Sequence, residues 1–263
     1  MEAFSPESDV YPAMRKLLFL LTLISTFLFP VYGTAQAILP VHQSGSKTES
    51  KTGVEWSPLL RESGLFLGIQ HSVRLLTEPG SRAQLAGPFL KDYFESVRGL
   101  HGWSDGDDFL TNYIGHPIQG SVTGFLFVAH DPRSRGLEFG KHGAYWRSRL
   151  KAMAYTAVYS AQFELGPISE ASLGNLGGPS APGTMGAVDL VMTPVGGFVW
   201  QVTEDALDRY LVRWLEDRTS NRVGKIMVRG MLNPARSFTN MLRFRVPWHR
   251  DTRPGVDELS QMN

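Results

Sequence analysis

Apolar and polar positions alternate with a helical period through most of the chain. Leu59, Leu60, Leu65, Phe66, Ile69, Val73 and Leu76 stand near helical spacing, and Glu78-Pro79-Gly80 ends the run, so the spacing predicts a first helix over 59–77. A second pattern covers 83–98, with Pro88 suited to a first turn. The Gly- and Asp-rich stretch 99–107 is a loop, and Asp107 or Asp108 can cap the helix that follows. From Phe109 to Ala129 there is no Asp, Glu, Lys or Arg, yet Asn112, His116 and Gln119 interrupt the apolar run. A fourth helix is predicted over 145–164, a loop over 171–186 and a fifth helix from about Val188 to Asp217. No stretch has the period-2 alternation of strands, so the expected fold is an all-α, single-domain bundle of about five to seven helices, two of them kinked at proline.

Two blocks share one design. Asn112, His116, Pro117 and Gly120 have the same offsets as Asp189, Thr193, Pro194 and Gly197. In each, two polar side chains fall on one face a turn apart, just before a proline that cannot donate to the helix. Each proline marks a kink or a helix start. Gly120 and Gly124, four apart, let a neighbouring backbone come close. A buried carboxylate needs a partner, so Asp189 is expected to meet His116 in a hydrogen bond, direct or through Asn112 or one water.

The leading segment changes the picture of where the chain works. Arg15-Lys16, an apolar run of 13 residues from Leu17 to Phe29 and the small-residue site Ala35-Gln36-Ala37 have the form of a secretory signal peptide. The run is shorter than the roughly 20 residues that span a bilayer, so cleavage after Ala37 is preferred to an uncleaved anchor. The acidic residues before Met14 make a poor n-region, which points to Met14 as the true start. Residues 38–57 then read as a flexible tether, 58–250 as the helical domain and 251–263 as a disordered tail. The chain has no cysteine, which excludes disulfides, thiol nucleophiles, thiolate metal sites and a lipoprotein anchor.

Composition narrows the chemistry further. Lys and Arg number 26 against 25 Asp and Glu, a balance that gives no sign of a nucleic-acid partner and says nothing of a protein partner. The seven histidines lack H-E-x-x-H or other tight ligand spacing, so neither metal nor cofactor is expected. No G-x-S-x-G elbow, P-loop or dinucleotide fingerprint occurs. The acids at 105, 107 and 108 lack the ligand alternation of a calcium loop, leaving solvation and capping. Arg222, Arg229, Arg236 and Arg243 recur every seven residues among apolar positions. That pattern fits either an anionic lipid surface or a docked helix pair with a solvated basic face. His71 and Arg74 are expected on a helix surface.

The blocks Asn112-x-x-x-His116-Pro117-x-x-Gly120, Glu164 with Ser169 and Ser172, Asp189-x-x-x-Thr193-Pro194-x-Gly196-Gly197, and Asn233-Pro234 resemble a family of bacterial cell-envelope proteins of unknown function. The resemblance covers roughly residues 105–245 and implies an exported, largely helical protein with no established activity. Two functional expectations follow. One is an envelope protein in which Asn112, His116, Asp189 and Thr193 satisfy one another and hold two kinked helices in register, with Gln119 a further candidate binding residue, in the periplasm or on a membrane. The other is a hydrolase or transferase acting on an envelope lipid or cell-wall substrate. In it His116 is the base, Asp189 its orienting carboxylate, Glu164 a second carboxylate and Ser169 and Ser172 the available hydroxyls.

Overall fold

The computed structural model describes residues 53–77, 89–173 and 186–256, which belong to one compact unit. The signal peptide, most of the tether and the last residues of the tail lie outside them. Seven helices and one single helical turn make up the described residues, with no strand among them. Helix α1 is Trp56–Thr77 and α2 is Phe89–Arg98. Helix α3 spans 111–130, a π turn at Thr111–Gly115 running into the α-helix His116–His130. Helix α4 is Gly143–Leu165, and α5 is the single turn Glu170–Leu173, which overlaps the start of the 171–186 stretch expected to be loop. Helix α6 spans 188–216 and contains two π turns, Met192–Gly196 and Asp208–Val212. Helices α7, Arg222–Met231, and α8, Pro234–Leu242, complete the bundle.

Helix α3 is the axle. From His116 to His130 every residue except Ile118 is buried, and α1, α4, α6 and α8 pack around it. That enclosure accounts for a 21-residue sequence without charge: the face that would normally meet water is covered by other helices. Val122, Phe125, Leu126, Phe127 and Val128 of α3 form the apolar core with Leu59 and Phe66 of α1, Ala152, Tyr159 and Phe163 of α4, and Ala235 and Leu242 of α8.

The prolines act differently from a break. Pro117 and Pro194 have no N–H to give, and in both helices a π turn accommodates the loss, with the His116 N–H reaching Thr111 O five residues back. Close approach of α3 and α6 requires glycine at the crossing. A Cβ on Gly120 would sit 1.7 Å from the Thr193 carbonyl oxygen, and one on Gly197 2.6 Å from Gly120 Cα. The two blocks of like design therefore meet backbone to backbone, with Pro117 seated against Gly196.

The chain ends depart from expectation. The Glu55 N–H donates to His130 O at 2.8 Å, so the tether is already docked before residue 57. Arg253 donates to Asp208 and Val256 is buried, so residues 251–256 pack on the domain rather than forming a disordered tail. His71 is buried too, its ring stacked on Phe163 at a centroid distance of 5.1 Å, and Arg74 forms an ion pair with Glu170.

Candidate functional site: a buried histidine and carboxylate centre

Three helices and one loop converge where α3 leaves its π turn. His116 opens the α-helical part of α3, Glu164 lies in the last turn of α4, and Asp189 lies in the first turn of α6 with Thr193 a turn later. All four are buried. The His116 ring is fixed from one side by a 3.0 Å hydrogen bond between Nδ1 and Thr193 Oγ1. From the other side its Nε2 lies 3.2 Å from Asp189 Oδ1.

The pair is thus as close as expected, but the bond is not the one expected. Asp189 Oδ1 has no hydrogen-bond partner, and neither has Glu164 Oε1. The well-formed bond of the imidazole goes to Thr193. Ring and carboxylate are in contact without a shared hydrogen bond in line. His116 Nε2 or Nδ1, one oxygen of Glu164 and one of Asp189 all lie within 4.8 Å of one another.

Asp105, from the loop before α3, completes the group and was not legible in the sequence. Ala187 N–H donates to Gly102 O and Val188 N–H to Trp103 O, which docks that loop on the start of α6. Gly186 is required there, because a Cβ would lie 2.4 Å from Trp103 O. Asp105 is thereby brought within hydrogen-bonding reach of Asp189, and it accepts from Asn112 Nδ2 at 2.8 Å. Asn112 therefore serves Asp105 rather than linking His116 to Asp189. Asp108 accepts from Thr111 N–H at 2.8 Å, the capping role anticipated for this loop.

The electrostatics follow from burial, with Arg74, itself paired with Glu170, the nearby cation that acts on His116 and Glu164. Desolvation, then the bond with Asp105 and that residue's charge, push the Asp189 carboxyl up to about 9. Desolvation, then Glu170 and Asp189, drive Glu164 well above the ordinary carboxylate range. Burial lowers His116, against the opposing pull of Glu170 and Asp105. Asp105 is raised by its own burial but more strongly lowered by the hydrogen bonds from Asp189, Asn112 and the Asp107 N–H, and ends low.

The other expected site residues fall elsewhere. Ser169 and Ser172 bond to each other: Ser169 N–H donates to Ser172 Oγ at 2.8 Å and Ser172 N–H to Ser169 Oγ at 3.1 Å. They cap α5 and are not paired with a base. Gln119 is buried with its Nε2 unsatisfied. The arginines expected at a lipid surface turn inward for the most part. Arg229 is 0% exposed and paired with Glu216, Arg236 with Asp205, and Arg243 with Asp251, leaving Arg222 exposed. A buried guanidinium is stable only beside a carboxylate, and α6 and the 251–253 turn supply those carboxylates.

Fold and site together define an all-α bundle with a buried histidine–carboxylate centre. No family model, no curated protein and no solved structure matches the chain.

Proposed function

We propose that this is an exported protein of the bacterial cell envelope that rests on a lipid surface through outward apolar faces, its buried centre holding α3, α4 and α6 in register. One observation carries lipid contact. All five carboxylates of α6, at Asp189, Glu204, Asp205, Asp208 and Glu216, are buried, whereas Val191, Val195, Val199, Tyr210, Leu211 and Trp214 on the same helix are exposed. Helix α7 repeats the inversion, with Lys225 and Arg229 inside and Val223, Met227 and Met231 outside, the last 71% exposed. Exposed apolar stripes of this extent belong against another apolar phase. No helix among the described residues is long and apolar enough to cross a membrane, which favours a surface lie. Export rests on the segment from Arg15 to Ala37.

Flotation of the purified chain with anionic phospholipid vesicles tests the proposal. The double substitution Val199→Asp and Trp214→Asp is expected to weaken binding by about tenfold or more, since both side chains would leave the lipid. Binding indifferent to that change would refute lipid contact. N-terminal sequencing of the exported product is expected to begin at Ile38, and a product retaining Leu17 to Phe29 would overturn cleavage. The hydrolase or transferase alternative needs a path from solvent to His116. Two cavities, one lined by Arg149, Asp205 and Arg236 among others and one by Arg213, Glu216 and Lys225 among others, do not reach His116, Glu164 or Asp189.

A further inference from the structure

We propose that His116, Glu164 and Asp189 form a binding site for one divalent first-row transition-metal ion, of the Mn²⁺ or Zn²⁺ class. The inference goes beyond the envelope role and does not depend on it.

Four features of the geometry carry it. First, the donor set is one imidazole and two carboxylates from three different helices, the mixed N and O set that such ions favour. Second, each of the two carboxyl groups has a buried oxygen without a hydrogen-bond partner, Glu164 Oε1 and Asp189 Oδ1, although each belongs to a group that loses several kcal/mol when desolvated unpaired. Third, the His116 Nε2 to Asp189 Oδ1 distance is 3.2 Å without a hydrogen bond in line. Two ligands at about 2.1 Å from one ion, subtending about 90 to 110°, are roughly 3.0 to 3.4 Å apart. That contact therefore has the length of an edge of a coordination polyhedron. One oxygen of Glu164 lies within 4.8 Å of a ring nitrogen of His116 and an oxygen of Asp189, close enough for the three residues to share one ion after a small side-chain adjustment. Fourth, Thr193 Oγ1 engages Nδ1 and turns Nε2 toward the carboxylates; in the tautomer with its proton on Nδ1 the ring matches metal sites whose histidine is oriented by an outer hydrogen bond.

The charge count agrees. Glu164, Asp189, Asp105 and Glu170 act on this region, and the arginine that acts on it, Arg74, is already paired with Glu170. A divalent ion would neutralise both ligand carboxylates at once, in place of the protons they otherwise carry. Asp105, beside Asp189, is the available fourth donor.

The test uses the untagged full chain in lipid-free buffer, so that its outcome is separate from that of vesicle flotation. After equilibration with Zn²⁺ or Mn²⁺ and removal of free ion, mass-spectrometric metal analysis is expected to find about one equivalent bound. The same ion at roughly 100-fold excess over Kd should raise Tm by about 5 °C or more. Glu164→Gln, which keeps the shape and removes a charge, should retain about a tenth of the metal or less and show no Tm response, yet be at least as stable as the metal-free parent. Thr193→Val, which touches no ion, should weaken binding by about 10- to 100-fold through loss of ring orientation. Metal retention below about a tenth of an equivalent with unchanged Tm in the parent chain would overturn the site. So would Glu164→Gln and Asp189→Asn variants that bind as the parent does, and preferential retention of Mg²⁺ or Ca²⁺ would overturn the transition-metal assignment.

Discussion

Along α6, Asp205, Asp208 and Glu216 each end on guanidinium groups, whereas Asp189, at the other end of the same helix, meets His116, Glu164 and Asp105. Arg149 and Arg236 close on Asp205, Arg250 and Arg253 on Asp208, and Arg229 and Arg253 on Glu216. Glu204, between them, accepts from the Ala235 and Arg236 N–H groups and so caps α8 in place of Asn233. One half of the helix sets most of its buried carboxylates against guanidinium groups. The other half gathers carboxyl groups around an imidazole, and burial pushes two of them, Asp189 and Glu164, toward the neutral form. The contrast teaches that burial of carboxylates is a general habit of α6, and that among those carboxylates Asp189 alone keeps a buried oxygen without a hydrogen-bond partner.

The sharpest way to break the comparison is to remove one cation from the paired end. Arg229→Ala should cost about 3 to 5 kcal/mol in urea unfolding, because Glu216 is left charged and buried. An effect under about 1 kcal/mol would show that the network is solvated. At the other end His116→Ala should cost about 1 to 3 kcal/mol, the range for one unsatisfied buried group, read by the same denaturation.

Acid should distinguish the two ends next. Burial raises Asp208, but the Arg250, Arg236 and Arg253 guanidiniums outweigh it and hold the carboxyl well below the usual range. Its folded pKa is thus below the unfolded value of about 3.9, so its stabilisation is present above about pH 4 and is lost as pH falls through the folded value. Stability measured across the acid limb should fall less steeply in Asp208→Asn than in the parent. Parallel curves would remove Asp208 from the acid response. Smallest of all, Glu164→Gln in metal-free protein should be neutral or slightly stabilising, since burial already favours the uncharged carboxyl and the amide keeps its shape without leaving a cation unpaired. A loss above about 1 kcal/mol would mean that Glu164 is held ionised by a partner of its own.

Much of this was open to inspection in the chain itself. The helical periods of α1, α3 and α4 follow from apolar spacing, and Pro117, Gly120, Pro194 and Gly197 mark the crossing of α3 and α6. The proximity of His116 and Asp189 follows from that crossing. What stayed hidden depends on contacts distant in sequence. Arg229 and Arg236 look like a basic face until Glu216 and Asp205 arrive from α6, 13 and 31 residues away. His71 reads as a surface group because nothing local announces Phe163. Asp105 sits in a loop of ordinary solvated composition, and only the docking of Gly102 and Trp103 on α6 turns it inward. The expectation of no metal rested on histidine spacing, which is blind to a site with a single histidine.

The π turns have an angular consequence. An α-helix advances about 100° per residue, and a π turn absorbs roughly one residue without advancing. Counted as uninterrupted α-helix from Asp189, Asp208 would point about 100° away and Glu216 about 180° away, on the opposite side. Subtracting one residue for the turn at Met192–Gly196 and another for Asp208–Val212 brings Asp208 back to about 0° and Glu216 to about −20°. By the same count Val199 and Trp214 come to about 180° and 140°, on the outer side. Two inserted residues thus act as phase corrections that sort 29 positions of one helix into a charged inner edge and an apolar outer one. Deleting one residue within 192–196 would rotate Asp189 by about 100° relative to the rest of the helix and carry it off the face that meets His116.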